Sequence, residues 1–304
     1  MTTLPITPRG FRKVDGEHKE LLAASGLEPR YPTVDRTLTE DEMVELVAGC
    51  RALIVGLDPV TDSVMAAGPL SLVVKYGAGR DNVDLGAATR REVLVVPTPG
   101  ANSLSVAELT IGLMLALARG LVFHHGAMVD GSRSRQVGRE LAGRRLGIIG
   151  FGYVGQRVAA LAGCLGMEVL VYDPIVEVSG YRQVDLRDVL ACDVVSIHAA
   201  HNEATHHLID ADALAAMRPD ALLVNTARPA IVDESALADA LDGDRLGGAA
   251  FDDLTKDPRI SARLLASGRF IATPHCGATT HEAVVRTGAA TVRAVLVHRD
   301  RWQT

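Results

Sequence analysis

The 304-residue chain is short of several features, and each shortage narrows what the protein can do. It contains no apolar run approaching the roughly 20 residues of a membrane-spanning helix. Its opening, MTTLPITPRGFRKVDGEHKE, lacks the basic-then-apolar order of a signal peptide, so no membrane association and a cytoplasmic location are expected. Cysteine is scarce: Cys50, Cys164, Cys192 and Cys276 are widely scattered and form no CxxC or metal-ligand spacing. Reduced thiols are therefore expected, with neither a disulfide nor a metal site. Positive charge is in deficit, with 31 Lys and Arg against 37 Asp and Glu and a net charge of -6. That balance leaves no basic footprint for nucleic acid or an anionic membrane, and small solutes are the expected partners. Lysine itself is limited to Lys13, Lys19, Lys75 and Lys256, a bias without functional content.

What is abundant is apolar sequence, 48% of the chain, enough for two domains or one large one. Short apolar runs alternate with helical stretches. ALIVGL (52 to 57), SLVVKY (71 to 76) and VLVVPT (93 to 98) make a first set of strands. RLGIIG (145 to 150), EVLVYD (168 to 173), DVVSIH (193 to 198), ALLVNT (221 to 226), LGGAAF (246 to 251) and RFIATP (269 to 274) make a second. Such alternation predicts an α/β fold with parallel sheets. Between the sets, SLSVAELTIGLMLALARG (103 to 120) predicts one long apolar helix, and the stretch from Thr279 onward predicts a terminal helix.

The strongest local motif is GFGYVG, directly after the strand that ends at Gly150. Gly150, Gly152 and Gly155 satisfy GxGxxG and open a helix, with Tyr153 and Val154 in its first turn. Glycines in that place permit a tight turn and close approach of backbone to a pyrophosphate, which the helix N-terminus attracts. Eighteen residues after Gly155, Asp173 ends the next strand. A carboxylate there accepts hydrogen bonds from both adenosine ribose hydroxyls and repels a 2'-phosphate, so NAD is expected in preference to NADP.

Five ordered segments, KYGAGRDNVDL, PGANSLSVAELTIGLMLALAR, LGIIGFGYVGQRVA, NTARPAIVDESALADAL and ATPHCGATTHEA, resemble the D-2-hydroxyacid dehydrogenases, especially the phosphoglycerate dehydrogenase-like branch. The resemblance implies two Rossmann-like, doubly wound domains with the active site in the interdomain cleft. Residues 1–99 plus 279–304 would form the substrate domain and 100–278 the NAD-binding domain. It further implies transfer of a hydride between nicotinamide and a small anionic 2-hydroxyacid.

By that resemblance, Arg228 of the Asn225–Arg228 pattern holds the substrate carboxylate, and His275 is the acid/base. A planar, permanently charged guanidinium and an imidazole titrating near neutrality suit these tasks. Asp252 is expected to meet the nicotinamide carboxamide. Five residues on, Asp257 stands where the family has the glutamate that pairs with the histidine, with an arm shorter by roughly 1.5 Å. Asp253 is expected to be solvated. His198, Thr226 and Ala227 fall on the cofactor side, although Ala200 replaces a proline the family often has near His198. The backbone of Ala78 and Gly79 resembles a carboxylate-cradling loop, and Asn102 is a further substrate-loop candidate. Arg80 adds positive charge beside that loop, to receive a second anionic group or to face solvent. Pro229, where the family usually has glycine, should push Arg228 towards an extended backbone. His201, His206 and His207 cluster without a carboxylate or cysteine at ligand spacing and are read as solvated.

A homodimer is expected, paired through the NAD domain and the long helix, and no serine-type regulatory domain is expected after residue 304. Two alternatives to a simple hydroxyacid dehydrogenase stand beside it. One is a dehydrogenase of a phosphate- or phosphonate-bearing alcohol; the other is an NAD(H)-sensing, corepressor-like binding protein.

Overall fold

The computed structural model describes residues 2–302. It divides into two compact units, Met1–Asn102 with Ala278–Thr304, and Ser103–Gly277.

In the first unit, β1 (Thr2–Pro5) pairs in parallel with β2 (Leu27–Arg30). The strands β3 (Ala52–Val55), β4 (Leu72–Lys75) and β5 (Leu94–Val96) form a second parallel set. A lone parallel bridge from Ile6 to Ile54 joins the sets, giving the doubly wound order 2-1-3-4-5. Every residue of β3 and β4 is buried, as expected of Val, Ile and Leu runs covered by helices on both faces. The terminal helix His281–Val297 belongs to this unit: Thr280 caps its start, and Val292 and Val295 share a core with Leu4, Ile6, Phe11 and Trp302.

The second unit is built on β6 (Arg145–Ile149), β7 (Glu168–Tyr172), β8 (Arg182–Gln183), β9 (Val194–Ile197), β10 (Leu222–Asn225), β11 (Gly248–Asp252) and β12 (Phe270–Thr273). All seven are parallel, in the order β12-β11-β10-β9-β6-β7-β8. The order reverses between β6 and β9, and open α/β sheets bind ligands in the crevice at such a switch point, beyond the carboxyl ends of the strands. Cores on the two faces of the sheet hold it in place, one around Ile197, Leu223 and Phe251 and the other around Ile148, Val158 and Val224. Each such side chain, fully buried, contributes about 1.5–3 kcal/mol.

The long apolar stretch forms the helix Ser103–Arg119, and Gly120, at a φ of 58°, turns the chain into a second helix, Leu121–Val129. No single helix among the described residues is long and apolar enough to cross a membrane. Three strands carry no signal in the sequence. β2 is the outer strand of its sheet, with Pro29 inside it, β1 beside it is only four residues long, and β8 is a two-residue, exposed edge. Edge strands need neither continuous apolar residues nor a full complement of amide donors.

Candidate functional site

In the second unit the glycine-rich turn sits at the switch point between β6 and β9. Gly150 has a φ of 93°, and a Cβ there would lie 2.5 Å from the Ala199 amide nitrogen. A Cβ on Gly155 would collide with the Gly150 carbonyl, so the turn and the helix Tyr153–Cys164 approach as closely as backbone allows. Gly152 behaves differently. It is the N-cap of that helix, no side chain caps it, and a Cβ there would meet nothing within 4 Å. This leaves an open helix N-terminus for a pyrophosphate. Tyr153 is exposed beside it and Val154 is half-buried.

Asp173, following β7, accepts from the Phe151 amide at 2.7 Å and from the Ile175 and Val176 amides at 2.9 Å. Burial alone would raise its pKa, but the three amides outweigh it and hold the carboxyl below its usual value. A charged carboxylate therefore marks the end of β7. His198 follows β9, with Nε2 2.9 Å from Ser196 Oγ and a buried Nδ1 that has no partner. Burial drives its pKa down to about 3, so the ring is neutral. An open glycine N-cap, an ionised strand-end aspartate and an orphaned ring nitrogen suit a bound NAD, with Thr226 and Ala227 on the neighbouring turn.

That turn carries Arg228. Asn225, at the end of β10, accepts from the Ala227 amide at 3.0 Å and donates to the Arg228 carbonyl at 2.8 Å. Pro229 opens a 3-10 turn, and Arg228 just before it is extended, with φ -137° and ψ 138°. Thr226 Oγ1 lies 2.9 Å from Thr110 Oγ1 on the long helix.

His275 lies on the turn after β12. Its Nδ1 is 3.0 Å from Oδ2 of Asp253, not from Asp257. The expectation for Asp257 is thereby corrected. Pro258 starts the helix Pro258–Ala266, so Asp257 is the N-cap, accepting from the Arg259 amide at 2.9 Å and pairing with the Arg259 guanidinium at 3.3 Å. Asp–Pro is the sequence signature of such a start, with proline at the first helical position. The Arg259 amide lowers the pKa of Asp257 more than any other neighbour.

Asp253 is corrected too. Expected in solvent, its side chain is 42% exposed yet faces His275, whose own side chain is 27% exposed. Burial pushes the Asp253 pKa up, but the His275 bond, the Leu254 amide and the charges of His275 and Arg228 bring it below the usual value. Both backbones are strained, at φ 133° for Asp253 and 53° for His275. Strain of this kind persists where surroundings over-determine the geometry.

Asp252 supplies part of that determination. It is 5% exposed, and Oδ1 accepts from Thr273 Oγ1 at 2.6 Å and the Cys276 amide at 2.8 Å, while Oδ2 accepts from the Gly277 amide at 2.7 Å. Its carboxylate thus anchors the turn that carries His275, and a nicotinamide contact would have to share it. Glu234, inside the segment NTARPAIVDESALADAL but given no role there, is also buried here, with both carboxylate oxygens on the Thr255 amide.

The other histidine group makes a separate cluster. His201 Nε2 lies 3.4 Å from His206 Nδ1, and His206 stacks on His207 with ring centroids 4.0 Å apart. No group of three or more His, Cys, Asp or Glu among the described residues is arranged to hold a metal ion.

In the first unit the loop after β4 is anchored from below. Thr98 Oγ1 accepts from the Gly77 amide at 2.9 Å and donates to the Lys75 carbonyl at 2.8 Å. Lys75, 3% exposed, donates to Asn82 Oδ1 at 2.7 Å and to the Gly56 carbonyl. Above this support Ala78 and Arg80 are exposed, and Gly79 and Asn102 are half-buried. Neither Thr98 nor Lys75 is marked by a motif of its own.

Comparison with known proteins matches residues 111–277 to the model of the D-isomer specific 2-hydroxyacid dehydrogenase NAD binding domain. The D-3-phosphoglycerate dehydrogenase of Sus scrofa is 38% identical over 280 residues, covering 89% of this chain and 52% of that protein. The chain thus spans about half the length of the curated phosphoglycerate dehydrogenases it matches. The (S)-sulfolactate dehydrogenase of Chromohalobacter salexigens is 38% identical over 274 residues, covering 86% of this chain and 89% of that protein. Among solved structures, the NAD+-bound 3-phosphoglycerate dehydrogenase of Entamoeba histolytica superposes with a TM-score of 0.85 at 28% identity, covering 99% of this chain and 95% of that one. The seven-stranded sheet with its glycine turn is the matched NAD-binding domain, and the similarity runs on through the first unit; the chain belongs to the D-isomer specific 2-hydroxyacid dehydrogenase family.

Proposed function

We propose that the protein is an NAD-dependent oxidoreductase acting on a small anionic 2-hydroxyacid, with Arg228 binding the substrate carboxylate and His275 as acid and base. The observation that carries this reading is the 3.0 Å bond between His275 Nδ1 and Asp253. An ionised carboxylate can only accept, so Nδ1 carries the hydrogen and Nε2 presents its lone pair. Nε2 has no hydrogen bond to any described residue. In the oxidative direction Nε2 takes the hydroxyl proton as the carbinol C–H bond releases a hydride. In reduction the imidazolium returns that proton to the alkoxide. Asp253 stabilises the imidazolium in both directions. The guanidinium of Arg228 offers two parallel donors to the substrate carboxylate and stabilises charge on the reacting oxygen. NAD, when bound, supplies the hydride acceptor.

For the cofactor we assign Gly150, Gly152, Tyr153, Val154 and Gly155 to the pyrophosphate, and Asp173 to the ribose hydroxyls. His198, Thr226, Ala227 and Asp252 complete that set. Ala78, Gly79, Arg80 and Asn102 are assigned to the substrate. Arg80 is exposed and has no ion pair among the described residues, which favours a hydroxyacid carrying a second anionic group. The names of two relatives, a phosphoglycerate and a sulfolactate dehydrogenase, support the same choice. A homodimer is proposed on the exposed apolar side chains of Leu121, Val122, Phe123, Met128 and Val129 along one helix.

Steady-state NADH formation with lactate, 3-phosphoglycerate, sulfolactate and a hydroxyphosphonate tests the reading. Turnover should be greatest with a doubly anionic acid, and Arg228→Ala or His275→Ala should abolish it while NAD binding persists. Unchanged rates in either variant would overturn the assignment. NADH-dependent binding of another protein without turnover would favour a sensor.

A further inference from the structure

The acid–base pair leaves one buried carboxyl group without a task. Glu234 opens the helix Glu234–Asp242 and is 5% exposed. The helix does not need it as a cap, because Asp233 already accepts from the Ser235 and Ala236 amides. No cation among the described residues lies within ion-pair distance of it. An unpaired buried carboxylate is costly, so it should have a partner that matters. Its partner is the Thr255 backbone N–H, at 3.0 Å from Oε2 and 3.2 Å from Oε1.

Thr255 is the midpoint of the segment from Asp253 to Asp257. At one end, Asp253 sits at φ 133° with Oδ1 on the following Leu254 amide and Oδ2 on His275. At the other, Asp257 is fixed as the helix cap, and the Ser261 hydroxyl donates to the Thr255 carbonyl at 2.9 Å. The amide on Glu234 and the carbonyl on Ser261 therefore hold the middle residue from both sides. Without the first, the strained end is the one released, since the other is embedded in a helix.

We infer that Glu234 is the positioning residue of the acid–base pair: by clamping the Thr255 amide it sets the turn so that Asp253, not Asp257, faces His275. This rests on the proposed roles of His275 and Asp253, but it concerns geometry that exists without substrate. Glutamine in place of glutamate retains a carbonyl acceptor of the same reach. Alanine leaves the amide without an acceptor, and aspartate shortens the arm by one methylene.

The test is the 15N and 1H resonance of the His275 imidazole in the protein without substrate, with kcat measured in parallel. In wild type the Nδ1–H proton should be protected and shifted downfield, and Asp253→Asn should remove that signature. Glu234→Gln should retain it. Glu234→Ala should lose it, with kcat falling about tenfold and the KM for NAD little changed. Should Glu234→Ala fail to fold, Glu234→Asp against Glu234→Gln decides, with loss in the first and retention in the second. A signature that survives in Glu234→Ala or Glu234→Asp, or disappears in Glu234→Gln, overturns the inference. Because the resonance needs no turnover, absence of activity with every hydroxyacid would refute the proposed reaction and leave this result readable.

Discussion

Two aspartates four residues apart make opposite predictions, and the Asp253→Asn and Asp257→Asn variants separate them. In Asp253→Asn the bond from His275 Nδ1, 3.0 Å in the wild type, becomes a contact between neutral groups. A hydrogen bond to a charged group contributes about 1.5–3 kcal/mol against about 0.5–1.5 for a neutral pair. With the two side chains 27% and 42% exposed, solvent screening puts the difference at the low end, about 1 kcal/mol. An asparagine can also turn its NH2 towards the ring and favour the tautomer with the hydrogen on Nε2, which cannot accept a proton. Together these should lower kcat/KM about 10- to 100-fold. Asp257→Asn should leave kcat/KM unchanged, because asparagine caps a helix as well as aspartate. Asp257→Ala should lower stability through the lost cap, again without effect on kcat. The assay is NADH absorbance under steady-state conditions, with urea unfolding to separate stability from turnover. Full activity in Asp253→Asn together with a large loss in Asp257→Asn would refute the assignment of the histidine's partner.

Gly152→Ala should fold normally, since a Cβ there meets nothing within 4 Å, yet weaken NAD binding about tenfold by calorimetry; unaltered affinity would remove Gly152 from the pyrophosphate site. Asp173→Ser should narrow the preference for NAD over NADP at least tenfold in kcat/KM, and a preserved ratio would show that the charge at the end of β7 does not discriminate. Burial, then the charge of Asp253, lifts the Glu234 pKa from 4.5 to about 7, so its contribution to stability is present below pH 4.5 and lost as pH rises through about 7. At pH 8 Glu234→Gln should therefore gain up to about 3 kcal/mol over its value at pH 5 relative to wild type in urea unfolding, and parallel pH profiles would refute it. Phe123→Glu with Val122→Glu should give a monomer in sedimentation, and a monomeric wild type would remove the proposed dimer.

The second unit was largely legible because its strands are buried on both faces and read as uninterrupted apolar runs. The glycine turn was legible because its glycines are required sterically: Gly150 and Gly155 have backbone where a Cβ would go. The edge strands β2 and β8 were not, since a sheet edge imposes no such pattern, and the four-residue β1 is too short to show one. The site divided in the same way. Arg228 and His275 follow strand ends at positions set by pattern, and Pro229 did extend Arg228. Glu234 could not be read, because a glutamate in the first turn of a helix is ordinarily an exposed dipole partner. Only its burial against the Thr255 amide distinguishes it.

The misplaced aspartate shows how a motif can preserve residue chemistry while the backbone reassigns it. Counting five residues from Asp252 reaches an acid, but the next residue is Pro258, whose fixed φ and missing donor make it a natural first residue of a helix. An aspartate before such a proline finds amide donors two and three residues on, at Arg259 and Ile260, and its short arm is well suited to them. A glutamate at the same place is a poor cap and has the reach to turn elsewhere. Aspartate at 257 therefore gives its carboxylate to the helix, and the imidazole pairs with another acid. Asp253 meets that need only in a backbone conformation, φ 133°, that is unfavourable for a residue with a Cβ. The strain at 253, the cap at 257 and the buried clamp at 234 are thus linked parts of one arrangement, and glutamate at 257 alone would not change it while Glu234 holds the turn.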